Sequence, residues 1–151
     1  MSAGDHLETL EHVDEVLVYS DGGARGNPGP AAIGAVVLDP STDPPRRLAT
    51  VSATIGIATN NVAEYRALIE GLRAAAPFNA RRIRVRADSL LVVNQLRGEW
   101  KIKHAGLRPL HAEASDLLRG YEHVDLAHVR RELNKDADAL VNAALDAEVA
   151  R

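Results

Sequence analysis

Residues 15–30, EVLVYSDGGARGNPGP, constrain this chain more than any other stretch. Val16, Leu17, Val18 and Tyr19 form a short apolar run rich in β-formers, so a strand is predicted over 15–20. Six of the nine residues from Gly22 to Pro30 are glycine or proline, the chemistry of a turn. The reading is a buried strand that stops at Asp21 and passes into a loop whose backbone can be approached closely. Asp before Gly-Gly is, taken alone, an ordinary turn residue. What gives Asp21 interest is the other acids.

A chain of 151 residues is long enough for one domain with a proper core, expected over 14–151 behind a polar lead-in at 1–13. With aromatics at 3%, that core has to be built from Ala, Val, Leu and Ile. The absence of cysteine excludes disulfides and thiolate zinc sites and fits a reducing compartment. The longest apolar run, Ala31 to Leu38, is too short to span a bilayer, and the acidic N-terminus has no signal core. A cytoplasmic protein without membrane association is expected.

The net charge of −3 argues at first against a nucleic-acid partner. Its distribution reverses that reading. Five acids and no Lys or Arg lie in residues 1–15, and the remainder carries +2. Arg81 to Arg108 holds eight basic residues against Asp88 and Glu99, a patch that could meet a phosphate backbone or simply form a solvated face.

After the glycine loop, strands are predicted over Ala31–Leu38 and Arg47–Gly56. They are joined by the turn-rich DPSTDPP, which makes an antiparallel meander. From Asn61 to about Ala76 the apolar period becomes helical. Arg82–Ala87 alternates as a strand, Ser89–Leu96 reads as a short helix, and Glu99–Ala105 as an exposed basic segment. A helix over Leu107–Arg119, a strand over Val124–Val129 and a helix from Lys135 to about Val149 complete the order βββαβααβα. The strand-helix-strand passages imply parallel pairing in the second half, hence an α/β fold with a mixed sheet and helices on its faces.

Four acids fall where these elements end or begin. Asp21 ends the first strand, Glu64 lies in the first turn of the first long helix, Asp88 ends the arginine-flanked strand, and Asp138 lies in the first turn of the last helix. Each has a plain local role available. Asn61 and Glu64 have capping-box spacing, Asp88 precedes a helix as an N-cap would, and Asp138 suits a helix dipole. Together they have a second reading, because strand ends and helix starts in such sheets converge on one edge. Carboxylates packed there repel unless a cation neutralises them. An oxygen-only set indicates Mg²⁺ or Mn²⁺, and a pair of such ions serves phosphodiester cleavage.

The motifs YSDGGARGNPGPAAIGAV, ATNNVAEYRALIEGL, VRADSLLVVNQLRGEWKIK and HVRRELNKDADALVNAAL resemble type 1 ribonuclease H from about Val16 to Ala144. The glycine loop matches neither GxxxxGK[ST] nor GxGxxG, so a nucleotide-binding loop is excluded on spacing. The resemblance implies a ribonuclease H-like fold with a five-stranded mixed sheet, its first three strands antiparallel and the rest parallel. It implies an endonuclease that hydrolyses the RNA strand of RNA–DNA hybrids and leaves 3′-hydroxyl and 5′-phosphate ends. Asp21, Glu64, Asp88 and Asp138 would hold two Mg²⁺ ions in the substrate complex, with Mn²⁺ a possible replacement. A monomer is expected.

By the same resemblance, His128 matches the family's mobile histidine, which aids proton transfer or product release; a lone strand-end histidine otherwise has a structural or surface role. Arg130 or Arg131 could meet the leaving phosphate in its place. Asn27 and Asn61 would reach the hybrid's minor groove and sense the 2′-hydroxyl. Thr59 and Asn60 would hold a DNA-strand phosphate. Trp100, Lys101 and Lys103 would line the DNA backbone, and Asn134 is expected among the substrate contacts. Two departures stand out: Leu90 occupies a position where many relatives carry Gln, and EWKIKHAG replaces a long basic protrusion found in some. The rival readings are a hybrid-binding module without catalysis and another nuclease of the same broad fold.

Overall fold

A computed structural model of the chain describes residues 13–150. The predicted lead-in at 1–13 therefore lies, except for Val13, outside the described residues. In chain order the elements are β1 (Glu15–Ala24), β2 (Gly29–Asp39), β3 (Arg46–Ala58), α1 (Asn60–Ala75), β4 (Arg82–Ala87), α2 (Leu90–Leu96), α3 (Arg108–Leu118), β5 (His123–His128) and α4 (Lys135–Val149). Short 3₁₀ turns follow α1 and precede α3 and α4. The sheet runs β3-β2-β1-β4-β5, antiparallel between β1, β2 and β3 and parallel between β1, β4 and β5, as predicted.

One boundary differs in a way that matters for the site. β1 does not stop at Asp21 but runs on to Ala24, with Asp21 opposite Gly34 and Gly22 opposite Ile33. The turn shrinks to residues 25–28, closed by Arg25 N–H donating to Pro30 O at 2.8 Å. Gly22 is thus not a turn residue. A Cβ there would lie 2.1 Å from the Ala63 carbonyl oxygen, so its missing side chain lets the start of α1 settle on the strand. Gly34 does the same for α4, since a Cβ would come 2.4 Å from Ala137 O.

The parallel partner stops earlier: β4 pairs with β1 only as far as Ser20 opposite Ala87. Asp21 is therefore inside an antiparallel hairpin on one side and past the end of a parallel strand on the other. That break in the sheet is where the acids meet.

Val16, Val18, Val37, Ile83 and Val85 from the sheet pack with Tyr65, Leu68 and Leu72 of α1 and with Val92 of α2. A smaller cluster of Ala32, Val141 and Leu145 seats α4 on the other face. Aliphatic side chains dominate this core as composition requires, yet Tyr65 is its largest fully buried side chain.

Capping differs from the sequence reading too. Thr59, not Asn61, caps α1, its hydroxyl accepting from Val62 N–H at 3.2 Å, and Glu64 falls beyond the first turn. Ser89, not Asp88, caps α2 by accepting from Val92 N–H. In both cases a hydroxyl takes the cap and the acid is left free for another task.

The basic patch is divided by the fold. Arg81 and Arg82 pair with Asp14 at 2.8 and 2.7 Å, Arg84 with Glu15 at 3.1 Å, and Arg86 with Asp125 at 3.0 Å. These four are each paired with an acid from a neighbouring segment, so their charge is locally matched. Arg97, Lys101, Lys103 and Arg108 lie exposed around α2 and the start of α3.

Candidate active site

Asp21 reaches the site from β1, Glu64 from α1, and Asp88 from the residue after β4. One carboxylate oxygen from each lies within 4.8 Å of the other two. Asp138, in the first turn of α4, stands outside this mutual group but against Asp21, where it hydrogen-bonds and adds charge. Asn142 donates to Asp138 Oδ2 at 3.4 Å. Three of the four predicted acids are thus brought together, with the fourth at their side.

Asp21 is only 7% exposed. Burial, then the Asp88 carboxylate, then hydrogen bonding and charge from Asp138 push its carboxyl up from 3.8 to about 8. Glu64 is pushed up from 4.5 to about 9, by burial first and then by Asp21 and Asp88. One interaction opposes this: Gly22 N–H donates to Glu64 Oε1 at 2.9 Å and favours the charged form. Glu64 therefore does not serve in a capping box. It ties α1 to the strand that carries Asp21.

Such a set is electrostatically incomplete. Carboxylates converging in a partly buried hollow either keep protons at neutral pH or take up a cation. The donors are all oxygen, which suits a hard divalent ion such as Mg²⁺ or Mn²⁺. The hollow, about 580 Å³, is lined by Asp21, Glu64 and Asp138 together with Arg25, Asn60 and Arg131. Arg131 was among the predicted residues. Arg25 was not, and it is anchored by Asp146 at 2.6 Å; its place in a glycine loop was the one available signal.

The predicted amides interlock beside the acids. Asn60 N–H donates to Asn27 Oδ1 at 3.1 Å, and Asn60 Oδ1 accepts from Ala24 N–H at 2.9 Å. The loop after β1 and the start of α1 thereby form one exposed ledge, with Thr59 beside it. Asn61 is exposed and borders a cavity of about 500 Å³ shared with Trp100, Lys101 and Lys103. Leu90, at the start of α2, is 46% exposed. His128 ends β5 in an exposed position opposite Ala87, next in sequence to Asp88, and Arg130 is exposed beyond it.

Asn134 departs from expectation. It is 2% exposed, and its Nδ2 donates to Ser20 O at 2.9 Å. A side chain so enclosed is a strut between the start of α4 and β1, next to Asp21, rather than a surface contact. Sequence reasoning also missed the buried Tyr65–Gln95 pair, whose hydrogen bond is 2.5 Å. A polar residue on the apolar face of α2 was its signal.

Among the described residues no helix is long and apolar enough to cross a membrane. A family model described as reverse transcriptase-like matches residues 19–144. The chain is 47% identical to ribonuclease HI of Halobacterium salinarum over 131 residues, covering 87% of this chain and 64% of that protein. It is 46% identical over 133 residues to the bifunctional protein Rv2228c of Mycobacterium tuberculosis, covering 88% of this chain but 36% of the relative. It thus spans only part of the length of these relatives.

The crystal structure of the Halobacterium RNase H1 superposes with a TM-score of 0.82 at 46% identity, covering 87% of this chain and 98% of that one. The N-terminal RNase H domain of Rv2228c, solved as a fusion with maltose binding protein, gives 0.82 at 45%, covering 86% and 98%. LC11-RNase H1 in complex with an RNA/DNA hybrid gives 0.81 at 39%, covering 89% and 99%. With this sheet order, these acids at its break and these neighbours, the chain belongs to the type 1 ribonuclease H family.

Proposed function

We propose that residues 14–151 form a single catalytic domain that hydrolyses the RNA strand of RNA–DNA hybrids internally, leaving 3′-hydroxyl and 5′-phosphate ends. The carrying observation is the convergence of Asp21, Glu64 and Asp88 within 4.8 Å. The hybrid complex of LC11-RNase H1, a relative of the same fold, supports the choice of substrate. Asp21, Glu64, Asp88 and Asp138 are the residues that would hold two divalent ions. Those ions would supply the Lewis acidity that activates water and stabilises the departing 3′ oxygen.

The chain's own groups do the rest. Burial and mutual repulsion push Asp21 and Glu64 upward, so the acid group as a whole favours protons in the metal-free protein and gives them up as the site loads. Asn27 and Asn61 offer paired donors and acceptors to ribose 2′-hydroxyls, which DNA lacks. Thr59 and Asn60 hold a DNA-strand phosphate, and Trp100, Lys101 and Lys103 carry the DNA backbone. In the hydrolysis, water's oxygen joins phosphorus, the bond from phosphorus to the 3′ oxygen breaks, and that oxygen takes a proton. We assign the movement of that proton to His128, which is exposed and lies opposite Ala87 in the sheet.

The test is incubation with end-labelled RNA–DNA hybrid, duplex DNA, and single strands of each, in Mg²⁺, Mn²⁺ or EDTA. Metal-dependent cutting of the hybrid's RNA strand alone is expected. Binding without cutting would make the chain a hybrid-binding module, and cutting of duplex DNA would make it a different nuclease.

A further inference from the structure

Gln95 is 5% exposed, faces the core from α2, and uses both ends of its amide. Its Oε1 accepts from the hydroxyl of Tyr65, which is fully buried, at 2.5 Å. Its Nε2 donates to Lys101 O at 3.3 Å. Its backbone carbonyl accepts from His111 Nε2 of α3 at 3.1 Å, so that ring nitrogen carries the hydrogen. One residue thus joins α1, α2, α3 and the basic loop after α2. Tyr65 directly follows Glu64, whose carboxylate is part of the acid group. The line from acid group to basic loop is therefore Glu64, Tyr65, Gln95, Lys101.

An apolar residue would fill the place of Gln95 without the cost of burying an amide. An amide bonded at both its oxygen and its nitrogen fixes geometry instead. The loop it holds carries Trp100 and Lys103 on either side of Lys101, all exposed, along the cavity that Asn61 borders. Asn94 O, accepting from Glu99 and Trp100 N–H at 2.9 and 3.2 Å, fixes only the loop's entry.

We infer that Gln95, oriented by Tyr65, is a positioning residue that holds the Trp100–Lys103 loop at a set distance from the acid group, and so governs how firmly the DNA strand is gripped. This rests on the proposed hybrid substrate. Neither side chain touches the reacting atoms, so their loss should weaken binding and spare the chemistry.

The variants are Gln95→Met, which removes both amide bonds, and Tyr65→Phe, which keeps the bond to Lys101. Amide hydrogen exchange across residues 98–104 is read on the ligand-free protein, and KM and kcat on labelled hybrid. In Gln95→Met, loop exchange and KM should each rise about tenfold with kcat within about twofold, the size of one lost hydrogen bond. Tyr65→Phe should move both readouts the same way by less, and it carries the test if Gln95→Met does not fold. Unchanged loop exchange, or faster exchange with unchanged KM, or a fall in kcat matching the rise in KM, would overturn the inference. A wild-type protein that cuts no hybrid would defeat the proposed activity instead, while loop exchange would still report on the tether.

Discussion

Replacing Asp21 with Asn should stabilise the metal-free protein, and the gain should grow with pH. Burial and the neighbouring Asp88 and Asp138 push the Asp21 carboxyl up to about 8 in the fold, against 3.8 for a free side chain. Between those values the native state holds a proton that the unfolded chain has released. Native stability therefore falls as pH rises through that window, by about 1.4 kcal/mol for each pH unit. From an onset of 3.8, the cost reaches about 2 kcal/mol at pH 5 and about 4 kcal/mol at pH 7. An amide of the same shape carries no such proton.

The whole of that cost is not recovered, because Asp88 and Asp138 remain beside residue 21 and Glu64 is tied to the same balance. About half, roughly 2 kcal/mol at pH 7, is the expected net gain, or some 5–8 °C in Tm for a domain of this size. Thermal melts followed by circular dichroism in EDTA, from about pH 5 to 9, measure it directly. Saturating Mg²⁺ or Mn²⁺ should then raise the wild type more than the variant and narrow the gap, since only binding to the folded state adds stability. A variant no more stable than wild type at pH 8 in EDTA, or a gap that does not widen with pH, would refute the account of a strained acid group.

Glu64→Gln and Asp88→Asn should lower hybrid cleavage at least about a thousandfold while leaving the EDTA melt at or above that of wild type; cleavage retained with a lowered melt would return both acids to local structural duty. Gly22→Ala should cost about 3 kcal/mol or more, read by urea unfolding, because its Cβ would lie 2.1 Å from Ala63 O. Asn134→Ala should cost about 1–3 kcal/mol by the same measurement through loss of the strut to Ser20 O, and a neutral result would deny that role. Metal binding followed by calorimetry at neutral pH in buffers of different ionisation enthalpy should reveal proton release, since burial and mutual repulsion push Asp21 and Glu64 upward in the metal-free acid group.

The order of elements and the mixed sheet were legible because they rest on periodicity, whereas the four acids, each with a plain local role available, stood out only by falling together at element ends and by the resemblance to the family. What was not legible depends on distant partners. Asp14 lies 67 residues from Arg81, so nothing local could indicate that four arginines of the basic patch are paired with acids. Asn134 reads as a loop residue, and its burial follows only from its bond to Ser20, 114 residues away. Gly22 and Gly23 were the deceptive case. Locally they signal a turn, but in the fold they sit inside a strand because a helix needs the space above one of them.

That misreading bears on how the site arises. Were Asp21 the last residue of a strand that simply ended, its carboxyl would stand at an open sheet edge, free to turn into water. Because β1 continues to Ala24 under pairing with β2, the backbone at Asp21 is held on one side. Because β4 stops opposite Ser20, a gap opens on the other, and Asp88 enters it. The Gly22 N–H then draws Glu64 down from α1 to the same place. The acids are thus crowded by strand pairing and helix docking that the core stabilises independently of them. A fold with that support can keep carboxyls at about 8 and 9, far above their solution values, available for exchange with cations.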